Sequence, residues 1–145
     1  MVYFRGLAGV QGVQSVTSVL ALERWFPGVL GRLPRSPVTT LPTPVQALDR
    51  LASAQGLASL WVKRDDLSGR FYGGNKPRKL EFLLAAAQRR GRRSVITFGG
   101  IGTNHGLATT ICARQVDLRT ILVLVPQPVT DHVRHNLLLD HAYGA

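Results

Sequence analysis

The chain has 145 residues, of which 45% are apolar and 18% charged. This composition is typical of globular proteins and excludes disordered and fibrous classes. A chain of this length can bury a core without disulfides or metal, so we expect one domain. The 18 basic and 8 acidic side chains give a formal net charge of +10, which raises the question of nucleic-acid binding.

The basic residues do not form the pattern of a nucleic-acid surface. They are scattered, apart from one group at Arg89, Arg90, Arg92 and Arg93. No aromatic residues alternate with that group, as a stacking platform would require. We therefore predict a solvated helix end and no nucleic-acid partner.

The cysteine content and the lengths of the apolar runs argue against a metal-binding or membrane-spanning protein. Cys112 is the single cysteine, and no zinc-binding spacing occurs, so we expect no metal and a reducing, cytoplasmic setting. The longest uninterrupted apolar run, Phe82 to Ala87, is far shorter than the roughly 20 residues of a membrane helix, so no membrane partner is expected. Residues 1–21 are predicted to form a loose tail before a domain over 22–145.

The first half of that domain combines an extended arm with helices. Five prolines between Leu22 and Pro44 disfavour long regular elements. Apolar spacing predicts a helix over Val45–Gln55 that Gly56 ends, and a short strand follows at Leu60–Val62. A second helix is predicted from Pro77 to near Gly91. Its predicted apolar face consists of Leu80, Leu83, Leu84 and Ala87.

The second half alternates strands with helices. A buried strand is predicted over Ser94–Phe98, closed by a glycine pair, and the clearest strand runs over Arg119–Val125. A helix between them is capped by Thr103 or Asn104, and Thr130 caps a last one. This pattern predicts an α/β fold, an open parallel sheet with flanking helices on both faces. The sequence stops within this repeating pattern, so we expect an incomplete fold and a fragment.

The loop after the first buried strand could bind an anion. Three glycines in Gly99–Gly102 allow close approach of a ligand, and the next helix offers free N–H groups and a positive dipole end. The dinucleotide fingerprint is not met, because its third glycine position is occupied by His105. A plain glycine turn between strand and helix is the alternative interpretation.

Lys76 is the candidate nucleophile. Pro77 places it at the start of a helix, and the later apolar positions incline it toward the buried face. Desolvation and the positive helix end both favour the neutral amine, which reacts with carbonyls to form a Schiff base. A lysine with its ammonium in water at a helix start is the alternative.

Three segments together resemble a known family. From about Leu41 onward the chain is similar to 1-aminocyclopropane-1-carboxylate deaminase and D-cysteine desulfhydrase, which are fold-type II pyridoxal phosphate enzymes related to the tryptophan synthase β chain. The segments that carry the resemblance are Lys63-Arg64-Asp65-Asp66, Gly73-Gly74-Asn75-Lys76-Pro77-Arg78-Lys79-Leu80-Glu81-Phe82 and Gly99-Gly100-Ile101-Gly102-Thr103-Asn104-His105.

The resemblance implies a role for each matching residue. Lys76 would hold pyridoxal 5′-phosphate as a Schiff base, Asn104 would hydrogen-bond its 3′-oxygen, and Lys79 would lie near its phosphate. Thr103 replaces the usual serine near the substrate and would be a catalytic residue beside Lys76. It would also act with Asn104 and His105 in substrate binding. Gly102 stands where members commonly carry Gln, so the substrate side of the site departs from the family.

The implied function is that of a lyase or deaminase. A small amino acid such as D-cysteine or 1-aminocyclopropane-1-carboxylate would yield a 2-oxo acid and ammonia, and the intact enzyme would be a homodimer. The family's phosphate loop, pyridine-nitrogen partner and substrate-facing tyrosines have no counterpart in these 145 residues, which we therefore expect to be inactive alone. A non-catalytic remnant, or another enzyme of β-elimination or β-replacement, is the alternative.

Other polar residues are interpreted as structural. His132, His135 and His141 lack a carboxylate partner at metal-binding spacing and are predicted to lie on the surface. Cys112 is predicted to be buried. Lys63 is a weaker Schiff-base candidate than Lys76, and Asp65 and Asp66 are expected to point to opposite faces of a strand.

Overall fold

The computed structural model describes residues 2–3 and 20–145, and most of the tail predicted over 1–21 lies outside them. Its helices are α1 (Ala21–Trp25), α2 (Val29–Arg32), α3 (Asp49–Ala54), α4 (Lys76–Arg89), α5 (Asn104–Arg114) and α6 (Asp131–Ala142), with a short 3-10 helix at Asp65–Leu67. Its strands are β1 (Val2–Tyr3), β2 (Val45–Ala47), β3 (Trp61–Lys63), β4 (Ser94–Gly100) and β5 (Arg119–Val125). No helix in this part of the chain is long and apolar enough to cross a membrane.

The strands form two separate sheets. β3 lies between β1 and β2 in a small antiparallel sheet. β4 and β5 pair in parallel from Ser94 opposite Arg119 to Gly100 opposite Val125. Because β4 leads through α5 into β5, the second sheet is the predicted strand-helix-strand unit.

Helix α5 is the centre of the core. It packs against α4, α6, β4 and β5, and every residue from Gly106 to Ala113 is buried. Small side chains permit this close packing, and the hydroxyls of Thr109 and Thr110 donate to the carbonyls of His105 and Gly106. The helix is therefore buried on all sides without unpaired hydroxyl groups on these two threonines.

The prediction of one helix over Val45–Gln55 is wrong in its first half. Val45–Ala47 forms β2, which pairs with β3, and the helix begins only at Asp49. Cross-strand hydrogen bonds to a distant segment outweigh the local helical spacing here. Gly56 lies directly after the helix end, as predicted.

The expectation of a sheet covered on both faces is not met in residues 20–145. Alternate residues of β4 and β5 form one apolar face that is largely exposed: Ile96, Phe98, Ile121, Val123 and Val125. The other face lies against α5. The continuous apolar runs predicted burial of both faces, but the described residues cover only one.

Two further details of the predicted elements differ. Leu80 and Leu84 of α4 are buried as predicted, whereas Leu83 is 60% exposed. The glycines Gly99 and Gly100 extend β4 rather than closing it, because they pair with Leu124 and Val125. The arginine group at the end of α4 is exposed, in agreement with a solvated helix end.

A buried carboxylate anchors the extended arm to α4. Glu81 is 2% exposed and accepts hydrogen bonds from Arg35 Nε at 2.7 Å and Nη2 at 2.9 Å. The backbone N–H and hydroxyl of Thr39 donate to the same carboxylate at 3.0 and 2.6 Å. The Glu81 carboxylate is thus fully enclosed by donors from the proline-rich segment.

Replacing Arg35 should test this anchor. We expect Arg35→Met to lower the free energy of unfolding by about 3–5 kcal/mol, because it leaves the buried Glu81 charge without its partner. Urea titration measures the change. The matched control is Arg134→Met, which breaks the exposed pair with Asp131 and should cost less than about 1 kcal/mol. Equal losses in the two variants would contradict the anchoring role.

Asp140 of α6 predicts a pH dependence of stability. It is 3% exposed, and no hydrogen bond of good geometry reaches its carboxylate in the described part of the chain. Burial raises its pKa, and the nearby Thr110 hydroxyl opposes that rise only in part. The unfolded carboxyl has a pKa of about 3.9. Because the folded-state pKa lies above that value, ionisation of Asp140 costs stability as the pH rises from below 3.9 through the folded pKa.

Asp140→Asn removes that ionisation. We therefore expect the melting temperature of the variant, relative to the parent protein, to be higher at pH 7 than at pH 3. Thermal unfolding followed by circular dichroism at both pH values measures the difference. A difference that does not change with pH would refute the cost assigned to the ionised carboxylate.

Candidate active site

Lys76 is the first residue of α4, and a short anchored turn leads to it. The buried Ser68 hydroxyl donates to the Gly74 carbonyl at 2.6 Å, and the Gly74 N–H donates to the Asp65 carbonyl at 2.6 Å. Gly74 has a φ of 97°, which favours glycine. The turn before Lys76 is therefore tied to the 3-10 helix.

The surroundings of the lysines differ. Lys76 is half-buried, and no described residue forms a hydrogen bond or ion pair with its amine. Lys63, the rival candidate, donates its amine to the Thr43 carbonyl. Lys79 lies one turn along α4 and is exposed. Lys76 is consequently the partly enclosed lysine whose amine has no competing contact within residues 20–145.

Helix α5 begins at the glycine loop, as predicted. Thr103 is its N-cap, and its Oγ1 accepts from the Gly106 N–H at 3.3 Å. Asn104 and His105 lie in the first turn with exposed side chains. The first N–H groups of a helix have no intrahelical partner, so this end can receive an anion. The Thr103 hydroxyl still has a hydrogen to donate.

Asn104 is held from two directions. The Tyr72 hydroxyl donates to the backbone carbonyl of Asn104 at 3.1 Å, and this hydrogen bond joins the segment before Lys76 to the start of α5. Burial raises the pKa of Tyr72, so its hydroxyl stays a donor at neutral pH. On the other side, Asn136 Nδ2 of α6 donates to Asn104 Oδ1 at 3.1 Å. The sequence interpretation missed both Tyr72 and Asn136, because neither contact follows from local spacing.

Gly102 is explained by its neighbours. A Cβ at this position would lie 2.7 Å from Val133 Cγ2, 3.2 Å from Val133 Cα and 2.8 Å from Gln127 Nε2. The Gln127 side chain also lies against Gly100. A glutamine side chain, which members of the resembled family commonly carry at the Gly102 position, would therefore clash with α6 and with the loop before it.

A cavity of about 290 Å³ lies behind Asn104. Tyr72, Asn104, His132 and Asn136 are among its lining residues, together with Leu107 and Ile111 of α5. Lys76, Thr103 and His105 do not line it. The structure thus brings the segment of Lys76 to Asn104 through Tyr72, while the cavity itself lies toward α6.

The remaining candidates have structural surroundings. Asp65 pairs with Arg78 at 2.7 Å and Asp66 with Arg64 at 2.7 Å. The Arg64 hydrogen bond lowers the pKa of Asp66. Both aspartates lie in the 3-10 helix rather than on a strand, so the predicted orientation on opposite strand faces is wrong.

Cys112 and the histidines agree with their predicted environments. Cys112 is 1% exposed, and burial, with a contribution from Glu81, raises the pKa of its thiol to about 11. His132, His135 and His141 are exposed. Within the described residues, no group of three or more His, Cys, Asp or Glu side chains could hold a metal ion.

The site thus combines an α/β unit with a parallel sheet, a lysine at the start of α4 and a glycine loop at the start of α5. The family of pyridoxal-phosphate dependent enzymes matches residues 38–145, and the chain belongs to that family. Its cofactor is pyridoxal 5′-phosphate. This confirms the family resemblance, the cofactor and the α/β fold class with a parallel sheet, of which the described residues cover one face.

Individual relatives are similar over the same region. The chain is 37% identical over 123 residues to the 1-aminocyclopropane-1-carboxylate deaminase of Burkholderia vietnamiensis, covering 80% of this chain and 36% of that protein. It is 40% identical over 116 residues to the nocardicin C-9′ epimerase of Nocardia uniformis, covering 80% and 34%. The chain therefore spans about a third of the length of these relatives.

A solved structure of an ACC deaminase homologue matches the fold with a TM-score of 0.68 and 38% sequence identity. The match covers 81% of this chain and 35% of that one. The chain therefore has part of the fold of that homologue.

The packing at Gly102 yields a prediction. Gly102→Ala should lower the free energy of unfolding by about 1–3 kcal/mol, because its Cβ meets the buried Val133. In a Val133→Ala background the contact with Val133 Cγ2 is removed, while those with Val133 Cα and Gln127 remain, so the same substitution should cost less but still destabilise. Urea titration of the parent, both single variants and the double variant measures the coupling. Additive losses would show that Val133 does not oppose the methyl group.

Proposed function

We propose that the protein carrying this chain is a pyridoxal-phosphate-dependent lyase or deaminase that converts a small amino acid to a 2-oxo acid and ammonia. The observation that carries the proposal is the amine of Lys76 at the start of α4, which has no partner among the described residues. The segment before it is joined through Tyr72 to Asn104 at the start of α5. These two helix starts supply a nucleophile and an anion-binding end.

The residues fit the cofactor by their chemistry. Lys76 offers an amine with no competing partner in the described residues, and the Asn104 amide nitrogen donates to no described acceptor. In this proposal Lys76 holds the cofactor covalently, Asn104 donates to its 3′-oxygen and Lys79 lies near its phosphate. Bound pyridoxal phosphate supplies an electron sink for bonds at the amino acid's α-carbon.

Thr103, Asn104 and His105 would bind the amino-acid substrate. The free hydrogen of the Thr103 hydroxyl and the first N–H groups of α5 suit a carboxylate. D-cysteine, which would give pyruvate, sulfide and ammonia, is the first substrate to test, and 1-aminocyclopropane-1-carboxylate is the second. In the protein with cofactor bound, we expect Thr103→Ala chiefly to weaken turnover.

Epimerisation is a second candidate function. The relative named as an epimerase is as similar to this chain as a relative named as a deaminase. An epimerase removes the α-proton and returns a proton to the opposite face, so it takes up deuterium from heavy water without releasing ammonia. Assays of ammonia and of deuterium uptake on the same amino acids separate the two functions.

Assembly and location are part of the proposal. The family resemblance supports a homodimer, which analytical ultracentrifugation would detect. The single buried cysteine supports a reducing, cytoplasmic location. The scattered arginines support the absence of a nucleic-acid partner.

The assignment of Lys76 is testable by chemical trapping. The expressed protein should be incubated with pyridoxal phosphate, reduced with borohydride and digested, and the labelled lysine identified by mass spectrometry. We expect the label on Lys76, because its amine is half-buried and has no partner within residues 20–145. We expect Lys76→Ala to lose both the label and the visible absorbance.

Lys63→Ala is the matched control. It removes the other half-buried lysine, whose amine already has a carbonyl partner, and it should keep the label and the absorbance. Label on Lys63, or a yellow Lys76→Ala protein, would overturn the assignment. Spread of the label over all three lysines would indicate surface reaction and would also overturn it.

A further inference from the structure

We propose that Asn136 is the positioning residue that sets which way the Asn104 side-chain amide faces. This inference deepens the proposed function, since it rests on Asn104 donating to the cofactor. Asn136 lies on α6, 32 residues beyond Asn104, and is 2% exposed. No local motif connects the two residues, so the contact is a product of the tertiary structure.

The hydrogen-bond roles follow from one backbone carbonyl. Asn136 Nδ2 lies 2.9 Å from the Gly102 carbonyl, which can only accept a hydrogen bond. The amide of Asn136 must therefore direct its nitrogen, not its oxygen, toward the glycine loop. The second hydrogen of the same nitrogen is then available for Asn104 Oδ1 at 3.1 Å.

The orientation of Asn104 follows from that of Asn136. Since Oδ1 of Asn104 accepts from Asn136, its Nδ2 faces away from α6 and keeps both hydrogens. Tyr72 holds the backbone of Asn104 at 3.1 Å from the other side. The exposed amide of Asn104 is thereby presented as a donor, which is the role required toward an anionic oxygen of the cofactor.

His132 does not compete for this role. Its Nε2 lies 3.3 Å from Asn136 Nδ2, the longest of the three contacts of that nitrogen. Asn136 Nδ2 has two hydrogens, and its two shorter contacts, with the Gly102 carbonyl and Asn104 Oδ1, use both of them. The Gly102 carbonyl and the Asn104 side chain are therefore joined through one buried amide, which fixes the loop and the donor together.

The first test needs no substitution. In the cofactor-free protein, NMR exchange measurements should find the side-chain amide protons of Asn136 protected and those of Asn104 exchanging rapidly. Addition of pyridoxal phosphate should protect the Asn104 amide. Protected Asn104 protons beside freely exchanging Asn136 protons in the cofactor-free protein would overturn the assigned orientation, whatever the protein catalyses.

The second test uses Asn136→Asp, which has almost the same shape but cannot donate when ionised. The Asn104 amide should then turn its nitrogen toward residue 136 and present its oxygen to the cofactor. We expect the absorption maximum of the bound cofactor to move as it does in Asn104→Ala. The dissociation constant of the cofactor should rise about tenfold or more in both variants.

A double variant separates positioning from a general structural effect. If Asn136 acts through Asn104, then Asn136→Asp should move the absorption maximum no further when added to Asn104→Ala. The spectrum is the readout here, because Asn136 also holds the Gly102 carbonyl and its loss can change the affinity through the loop. Asp140→Asn is the matched control, because Asp140 is buried on the same helix and, within the described residues, no side-chain hydrogen bond joins it to Asn136 or Asn104. It should leave the spectrum unchanged and the affinity within about twofold.

The outcomes distinguish the inference from the function beneath it. A shift in Asn104→Ala without one in Asn136→Asp would refute the positioning role and leave the proposed function standing. If Asn136→Asp moves the absorption maximum equally in the parent and in Asn104→Ala, Asn136 does not act through Asn104 and contributes only packing. An unchanged spectrum in Asn104→Ala would show that Asn104 does not contact the cofactor, and it would overturn the inference as well.

Discussion

The parallel pairing of β4 with β5 is the constraint on which the candidate site depends. Its register places Gly100 opposite Val125, and the Ile101 N–H extends the ladder to the Val125 carbonyl at 3.1 Å. The glycine loop therefore begins where β5 ends, so the chain that follows β5 passes beside it. That following segment contributes three side chains that contact the loop: Gln127, Val133 and Asn136. Gln127 and Val133 leave little room for a side chain at Gly102, and Asn136 donates to the Gly102 carbonyl.

The second half of the site is held by polar contacts between distant segments. Glu81 ties the proline-rich arm to α4 through Arg35 and Thr39, while Ser68 fixes the turn that leads to Lys76. Tyr72 then connects this turn to the first residue of α5. Buried or partly buried hydrogen bonds, and not the local helices alone, thus support the two candidate ligand-binding groups, the Lys76 amine and the Asn104 amide.

The two departures from the family pattern, Gly102 and Thr103, lie in the glycine loop, and packing within this chain explains them. Gly102 cannot carry a side chain beside Val133, and the methyl group of Thr103 fills space above Gly99 and Gly106. The apolar face formed by Ile96, Phe98 and their neighbours on β5 has no cover in residues 20–145. The shape of the glycine loop is thus set by contacts within the described residues.

The sequence by itself determined the elements from Pro77 onward, the burial of Cys112 and the positions of Lys76 and Asn104 at helix starts, because caps, apolar runs and a proline are local signals. Only the tertiary structure decided that Val45–Ala47 is a strand, that one sheet face is exposed and that Lys63 is already occupied. It also brought Asn136 to Asn104 and Glu81 to Arg35. Such contacts join residues many positions apart, and their energy depends on packing and on hydrogen-bond geometry that no local pattern encodes.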